Sequence, residues 1–355
     1  MVLGLPFDVL TEEQALADLY EAIESRTQCF LSTPNLNFAI AARADNEFRK
    51  SVFESHMSVA DGMPLVLLAK LIGANLPGRV AGSSLFERMR EQTSAEPVSV
   101  FFFGGMGDVA DRAVEVLNSS SSGMRAVGSL NPGVGSVADM STDDIIERIN
   151  AANPDFIVVS LGAKKGQQWI AQNRRRLNAT VISHLGAVVN FVAGAVERAP
   201  EIWQKLGAEW LWRILEEPTL WKRYLFDGCS LLRHVFSRVL PLAIYGRVLE
   251  SKHSNSSFVF STTERDQQIH IRLSGNASRS QLVKLREELA RLVALEKDLV
   301  LSFDELMYAD SYFWALIIKL NTELRARGNN LVIKDLSKPI TRLAYLNMVD
   351  EALGI

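Results

Sequence analysis

Short apolar runs alternate with amphipathic helical segments along the N-terminal part of the chain, and this alternation restricts the fold more than any other feature. The runs at 98–103 and 156–161 are mostly apolar, as strands are when both faces of a sheet are buried. Segments at 108–118 and 141–152 repeat apolar residues at helical spacing. Such a succession of strands and helices predicts an α/β fold built on a parallel sheet.

Asp61 stands between a predicted strand, 57–60, and a predicted helix, 65–72. Gly62 accepts positive φ and Pro64 suits the first turn of a helix, so the sequence predicts a strand-to-helix turn here. Open α/β sheets bind ligands where their strands end, which makes Asp61 a candidate functional carboxylate. The alternative is that Asp61 only caps the helix, since Asp is common at that position.

A second turn of this kind, Gly104-Gly105-Met106-Gly107, follows the run at 98–103. Backbone N–H groups at the start of the next helix can face a phosphate there. A tight turn without a ligand explains the glycines equally well, because their spacing is not the G-x-G-x-x-G of dinucleotide-binding proteins. The missing fingerprint argues against a nicotinamide-dependent oxidoreductase.

Polar residues crowd behind the run at 156–161, where Lys164, Lys165 and Gln167 begin the next helix. A charge run of this kind is usually a solvated helix face, and ligand binding is the alternative. His184 lies on another apolar run, with no second metal-ligand candidate at a useful spacing. We interpret it as a hydrogen-bonded core histidine.

Composition limits the class of protein. A chain of 355 residues with 48% hydrophobic residues predicts two folded units and a connector. The net charge of −3 argues against a nucleic-acid partner. Cys29 and Cys229 are the two cysteines, which indicates neither a disulfide framework nor a zinc site and fits a reducing cytoplasm. We expect no secretory signal and no spanning helix.

The chain changes character after Pro218. Apolar residues recur at helical spacing over 231–240, and basic residues outnumber acidic ones over 218–252. This pattern is typical of a helix at a membrane surface, and the alternative is an apolar stripe packed on the preceding domain. The serine-rich stretch 251–257 has the composition of a linker. Beyond it, from 258 to 355, strands and helices alternate again and predict a second, smaller α/β domain.

A series of short motifs between residues 3 and 226 carries a family resemblance through its order and spacing. The motifs are Thr33-Pro34-Asn35, Asp61-Gly62, Arg79-x-x-Gly82, Phe103-Gly104-Gly105, Pro154-Asp155, Leu161-Gly162 with Trp169-Ile170, Arg198-Ala199-Pro200, Glu209-Trp210 with Arg213, and Glu217-Pro218 with Arg223-Tyr224. Together they resemble the WecG/TagA/CpsF glycosyltransferases.

The resemblance implies a Rossmann-like glycosyltransferase domain over 1–217, and the amphipathic pattern after it predicts a membrane-associating segment and linker over 218–257. Such enzymes invert the anomeric centre as they transfer a sugar, often N-acetylmannosamine, from a UDP-sugar to a polyprenyl-diphosphate-linked sugar. They build surface polysaccharides and teichoic-acid linkage units. The implied location is cytoplasmic and peripheral, at the inner face of the cell membrane. The implied chemistry needs no metal or cofactor, in keeping with the lack of a D-x-D motif in the catalytic region.

Site residues follow by position. Asp61 matches the family's proposed general base, which takes the proton of the attacking hydroxyl. Thr33 and Asn35 match residues lining the substrate pocket. The leaving UDP needs fixed donors or cations. The candidates for binding it are Arg79 with Gly82 of the same motif, the backbone of Gly104 and Gly105, and Lys164 and Lys165.

Two departures from the family pattern lie near the expected pocket. Lys164-Lys165-Gly166-Gln167 stands where the family usually has Pro-Lys-Gln-Glu, and Asn190 stands where it usually has Asp before Phe. We keep Gln167 and Asn190 as substrate-pocket candidates. The departures also support a rival interpretation, a catalytically silent scaffold that binds sugar nucleotides and recruits partners through its C-terminal domain.

The order of elements over 258–355 is similar to that of STAS domains, which are partner-binding modules. Asp310-Ser311 lies at a predicted helix start, where STAS domains commonly carry a phosphorylatable serine. Tyr312 and Phe313 replace the usual small residue and glycine. Ser311 is therefore either a regulatory site or a helix cap, and the resemblance implies a protein partner for this domain.

Overall fold

The computed structural model describes residues 1–196, 200, 203, 209–265 and 267–355. These residues form two compact units. The larger unit comprises Asp8–Val66 and Leu76–Asp227, and the smaller comprises Met1–Phe7, Leu67–Asn75 and Gly228–Ile355. Arg198 and Ala199 of one family motif lie outside the described residues. The two compact units do not coincide with the domains predicted from the sequence, whose boundaries lie at 217 and 257. Those boundaries stay a prediction about functional segments.

A parallel sheet of six strands forms the centre of the larger unit, in the order β2-β1-β6-β5-β3-β4. The strands are β1 (Cys29–Ser32), β2 (Met57–Ser58), β3 (Val98–Gly104), β4 (Met124–Leu130), β5 (Phe156–Ser160) and β6 (Val181–His184). Residues of β3 are buried throughout, as are all but the last residue of β5, which explains their apolar sequences. The predicted parallel α/β fold is confirmed.

Helices flank this sheet. They are α1 (Glu12–Ser25), α2 (Leu36–Ala44), α3 (Asn46–Phe53), α4 (Met63–Leu71), α5 (Gly82–Glu91), α6 (Val109–Ser120), α7 (Asp143–Ala151), α8 (Ala163–Asn173), α9 (Val188–Val192), α10 (Glu209–Glu216) and α11 (Trp221–His234), with 3-10 turns at Arg174–Arg176 and Pro218–Leu220. The second part of α4, from Leu67 to Leu71, and the second half of α11 belong to the smaller unit.

The core of the larger unit lies on both faces of its sheet, because successive residues of a strand point to opposite sides. Phe102 packs with Phe86 of α5 on one face, their ring centroids 6.3 Å apart. Phe103 stacks on Trp169 of α8 on the other face at 4.2 Å. Packing on both faces fixes the strands in place, and because they are parallel their carboxyl ends lie at one edge of the sheet.

The strand order creates a crevice at the carboxyl edge. β3 and β5 are neighbours, but the chain leaves β3 towards β4 and leaves β5 towards β6, on the opposite side. Ligands of open α/β sheets bind where adjacent strands diverge in this way. The loops after β3 and β5 contain Gly104-Gly105 and the residues that precede Lys164, so sequence motifs and topology indicate the same edge.

The smaller unit has a four-stranded sheet in the order β10-β9-β8-β7. Its strands are β7 (Val259–Arg265), β8 (Gln268–Ala277), β9 (Leu299–Ala309) and β10 (Leu331–Lys334). Its helices are α12 (Leu240–Lys252), α13 (Val283–Val293), α14 (Ser311–Ala326), α15 (Lys338–Leu346) and α16 (Asp350–Leu353), with a π-helical turn at Val235–Val239 and a 3-10 turn at Arg279–Gln281. Only β7 is antiparallel to its neighbour.

The predicted second α/β domain is confirmed, with two differences. The predicted linker 251–257 is shorter, because α12 continues to Lys252. The edge strand β7 follows it and was not predicted, because most of its residues are exposed and its sequence lacks a buried apolar face. Within the described ranges, no helix combines the length and the apolar content that crossing a bilayer requires.

Candidate active site

Asp61 lies beside Thr33 and Asn35 at the carboxyl edge of the sheet, because β1 and β2 are paired in parallel. The Asp61 N–H donates to the Pro34 carbonyl at 3.0 Å. Asn35 caps α2, its Oδ1 accepting from the Phe38 N–H at 3.1 Å. The turn after β2 and the loop after β1 are thus joined, and three predicted site residues lie together.

Arg79 bridges two carboxylates at this edge. Its Nε and Nη2 each donate to Asp61 Oδ1 at 3.2 Å. Its Nη1 pairs with Glu209 Oε1, and Nη2 also donates to Glu209 Oε2 at 3.2 Å. All three side chains are more than two-thirds buried. The structure therefore engages Arg79 with protein carboxylates, whereas the sequence predicts it as a ligand of the leaving UDP.

The surroundings of Asp61 shift the pKa of its carboxyl group in opposite directions. Burial raises the pKa of the Asp61 carboxyl, while the charge and hydrogen bonds of Arg79 lower it. The Glu209 carboxylate raises the Asp61 pKa further, and Arg213 lowers it. We conclude that the Asp61 pKa lies above the ordinary value of an aspartate, which makes the ionised carboxylate a better proton acceptor.

Gly82 begins α5 where no side chain fits. A Cβ there would lie 2.4 Å from Leu185 Cδ2 and 3.2 Å from Thr33 Oγ1. Thr33 is itself only 8% exposed. Gly82, a predicted pocket residue, therefore contributes through close packing behind Thr33.

The glycine turn after β3 depends on backbone conformations that favour glycine. Gly104 and Gly105 have φ of +100° and +96°. The Gly105 N–H donates to the Ser160 carbonyl at 2.9 Å, which ties the turn to the end of β5. Within the described residues, the N–H groups of Met106 and Gly107 make no backbone hydrogen bond. They, rather than the Gly105 N–H, remain available to an anion at this turn.

Two lysines at the start of α8 are held by neighbours. Lys164, whose side chain is 61% exposed, pairs with Asp45. Lys165 Nζ donates to the Gly135 carbonyl at 2.7 Å. Lys164 is exposed and Lys165 partly so, and an exposed ion pair such as that of Lys164 contributes little to stability.

Gln167 points into the protein and is 0% exposed. Its Nε2 donates to Ser32 Oγ, and the Ser51 carbonyl lies 3.4 Å away. Its Oε1 has no hydrogen-bond partner within the described residues. This arrangement puts the amide under the end of β1, where it supports the strand that leads to Thr33 and does not reach a ligand.

Gly166 is explained by the ring of His184. A Cβ at Gly166 would lie 2.3 Å from His184 Cδ2, so the imidazole occupies the space of any side chain there. Within the described chain, His184 Nε2 has no hydrogen-bond partner, so the predicted hydrogen bond is not made through this atom. Burial lowers the pKa of His184 to about 4, so the ring is neutral at pH 7.

Asn190 lies on α9, and the next residue contacts α10. The Arg213 guanidinium lies 5.9 Å from the centroid of the Phe191 ring. Arg213 and Glu209 lie on the same helix, so α10 approaches both Asn190 and the Asp61 site. The sequence predicts no role for Glu209 or Arg213, although both belong to one family motif.

The arrangement suits proton transfer. Both bonds from Arg79 end on Oδ1 of Asp61, and the described residues make no bond to Oδ2, which can accept a proton. In the part of the chain that the structure describes, no group of three or more His, Cys, Asp or Glu side chains could hold a metal ion.

Ser311 lies in the smaller unit and is only 6% exposed. Its Oγ donates to Asn347 Oδ1 at 2.7 Å. The cap of α14 is the preceding residue, Asp310, whose Oδ1 accepts from the Phe313 N–H at 2.7 Å. A cavity of about 100 Å³ borders Asp310, Ser311 and Tyr308. Ser311 is therefore not the helix cap that the sequence offered as one alternative, and its hydroxyl is enclosed.

Comparison with known proteins agrees with this geometry. The model of the glycosyl transferase WecG/TagA/CpsF family matches residues 1–243, and that of the Mlab STAS domain matches residues 260–354. Two similar proteins are named N-acetylglucosaminyldiphosphoundecaprenol N-acetyl-beta-D-mannosaminyltransferase. That of Bacillus subtilis (strain 168) is 27% identical over 57% of this chain and 77% of its own length. That of Staphylococcus aureus (strain MW2) is 26% identical over 62% of this chain and 85% of its own length. The chain belongs to the WecG/TagA/CpsF family of glycosyltransferases and carries a C-terminal STAS domain.

Proposed function

We propose that this protein transfers a hexose, N-acetylmannosamine or a close relative, from a UDP-sugar to a polyprenyl-diphosphate-linked sugar in surface polysaccharide biosynthesis. The observation that carries the proposal is Asp61, a largely buried carboxylate at the carboxyl edge, whose Oδ2 accepts no hydrogen bond from the described residues. The names of the relatives, which act on an undecaprenyl-diphosphate-linked sugar, support the lipid-linked acceptor.

The reaction is a single displacement at the anomeric carbon. An acceptor hydroxyl oxygen forms the new bond to that carbon while the bond to the UDP oxygen breaks on the opposite face, which inverts the configuration. Asp61 Oδ2 takes the hydroxyl proton as the bond forms. Thr33 and Asn35 lie beside Asp61 and contact the reacting sugars.

The departing UDP carries away the electron pair and its negative charge. The N–H groups of Met106 and Gly107, at the turn after Gly104-Gly105, face the diphosphate near the start of α6. Lys164 and Lys165 exchange their present partners for its oxygens. These protein groups meet the leaving-group charge without a metal ion, and the reaction uses no cofactor.

The test is an assay of the purified full chain with a panel of UDP-sugars and a polyprenyl-diphosphate-linked N-acetylglucosamine acceptor. We expect one donor to give an inverted product and free UDP, at a rate that a chelator leaves unchanged. Binding of UDP-sugars without transfer from any donor would favour the silent scaffold. A strict requirement for manganese or magnesium would contradict the metal-independent mechanism.

Exposed apolar residues support a peripheral location at the inner face of the membrane. Leu232, Phe236, Ile244 and Val248, here called the apolar stripe, are each more than half exposed on α11, the π-helical turn and α12 of the smaller unit. Basic residues outnumber acidic ones over the same segment, 218–252. Contact with a bilayer would remove the apolar stripe from water, and anionic lipid would attract the cations.

Replacing Leu232 and Phe236 together with Ser should lower the binding of the full chain to anionic vesicles about 10²-fold, since burying each side chain contributes about 1.5 kcal/mol. Vesicle flotation measures the bound fraction. The matched control is Val283→Ser with Leu295→Ser, which removes two exposed apolar residues elsewhere in the smaller unit. Equal flotation of the two variants would show that the stripe has no special role.

The STAS domain is proposed to bind a protein partner that regulates the transferase. The enclosed position of Ser311 argues against phosphorylation as the trigger, because a kinase needs the hydroxyl at the surface. Tyr312, which lies under the Arg279 guanidinium at 5.5 Å, is an alternative contact for the partner.

A further inference from the structure

We propose that Glu209 is a positioning residue that keeps Arg79 from neutralising Asp61, so that Asp61 stays reactive as the base. This inference rests on the proposed function, in which Asp61 accepts the proton. Its starting observation is the shared guanidinium, which contacts Asp61 through one oxygen and Glu209 through both.

The hydrogen bonds of Arg79 show how it is held. A guanidinium has five N–H groups. The Nε–H donates to Asp61, Nη2 donates to Asp61 and to Glu209, and Nη1 pairs with Glu209. The paired contact with Glu209 is the fork geometry that fixes a guanidinium most firmly. Glu209 thereby sets the orientation in which Arg79 can reach only Oδ1 of Asp61.

The charges explain why a second carboxylate matters. An aspartate paired with one arginine has a lowered pKa and is a weaker base. Adding Glu209 leaves a net charge of minus one on the three groups, which shifts the Asp61 pKa upward again. Among the described residues, the further charge that acts on Asp61 is Arg213 of the same helix, whose effect is opposite. Loss of the Glu209 charge therefore leaves Asp61 facing two uncompensated arginines.

The test is the pH profile of kcat/KM for the donor that the wild type uses. In Glu209→Gln, which keeps the size of the side chain, we expect the acid limb to move about one unit towards lower pH and the plateau to fall about tenfold. Glu209→Asp keeps the charge and should hold the acid limb near its wild-type position, even where the plateau falls. Glu216→Gln removes a charge from the exposed end of the same helix and should leave the profile unchanged.

An acid limb of Glu209→Gln that coincides with the wild type, with or without a lower plateau, would overturn the inference, because a purely structural role lowers the rate equally at every pH. An acid limb that moves as far in Glu209→Asp as in Glu209→Gln would overturn it as well. Absence of transfer by the wild type, or an unchanged rate in Asp61→Asn, would instead contradict the proposed function itself.

Discussion

Asp61→Asn should lower glycosyl transfer by about 10²-fold or more while leaving the fold intact, because an amide cannot take up the proton of the attacking hydroxyl. The substituted side chain keeps an oxygen that can accept the hydrogen bonds from Arg79. Measurement of kcat with saturating donor and acceptor, together with the thermal unfolding midpoint, separates the chemical effect from a structural one.

Asp144→Asn is the matched control, since Asp144 is an exposed aspartate in the first turn of α7. Its rate should equal that of the wild type. The wild-type rate should also fall on the acid side, where Asp61 becomes protonated, and the raised Asp61 pKa puts this limb above the pH expected for an ordinary aspartate. Full activity of Asp61→Asn would remove Asp61 from the mechanism.

Gly104→Ala should destabilise the larger unit by about 3 kcal/mol or more, because two penalties coincide at this position. Gly104 has a φ of +100°, which side chains rarely adopt, and a Cβ would lie 2.4 Å from the Ser160 carbonyl oxygen. That oxygen belongs to the neighbouring strand β5 and also accepts the Gly105 N–H, so it cannot move away freely. Urea unfolding of the full chain measures the loss.

Gly107→Ala isolates the backbone penalty from the collision. Gly107 has a φ of +61° with open space around a Cβ, so this variant should lose only about 1 kcal/mol. If the two variants unfolded at the same urea concentration, the contact of residue 104 with β5 would contribute no penalty of its own, contrary to this prediction.

The departures from the family pattern have different physical explanations. Gly166 accompanies the His184 ring, which fills the volume that a larger residue at 166 would need. Packing against His184 therefore accounts for a glycine at this position. Nothing in the contacts of Asn190 explains its replacement of the usual aspartate, so that position still bears on the choice between an enzyme and a scaffold.

The sequence by itself determined the parallel sheet, the turn that carries Asp61 and the presence of a second α/β domain. These follow from local chemistry: strands buried on both faces need continuous apolar runs, and strand-to-helix turns need particular residues. The family resemblance indicated Thr33 and Asn35 as companions of Asp61, and the parallel pairing of β1 with β2 brings the three residues together. β7 was missed because an exposed edge strand needs no apolar pattern.

Only the tertiary structure decided how the charged groups pair. Arg79 and Glu209 are 130 positions apart, and their contact depends on where α10 lies beside the carboxyl edge. Gln167 resembles a pocket residue in sequence, yet it lies on the buried face of α8 and its amide donates to Ser32. Ser311 resembles a modification site, yet the packing of α14 with Asn347 encloses its hydroxyl. A hydrophobic pattern records which residues leave water, whereas the partner of a polar side chain is set by distance and orientation after folding.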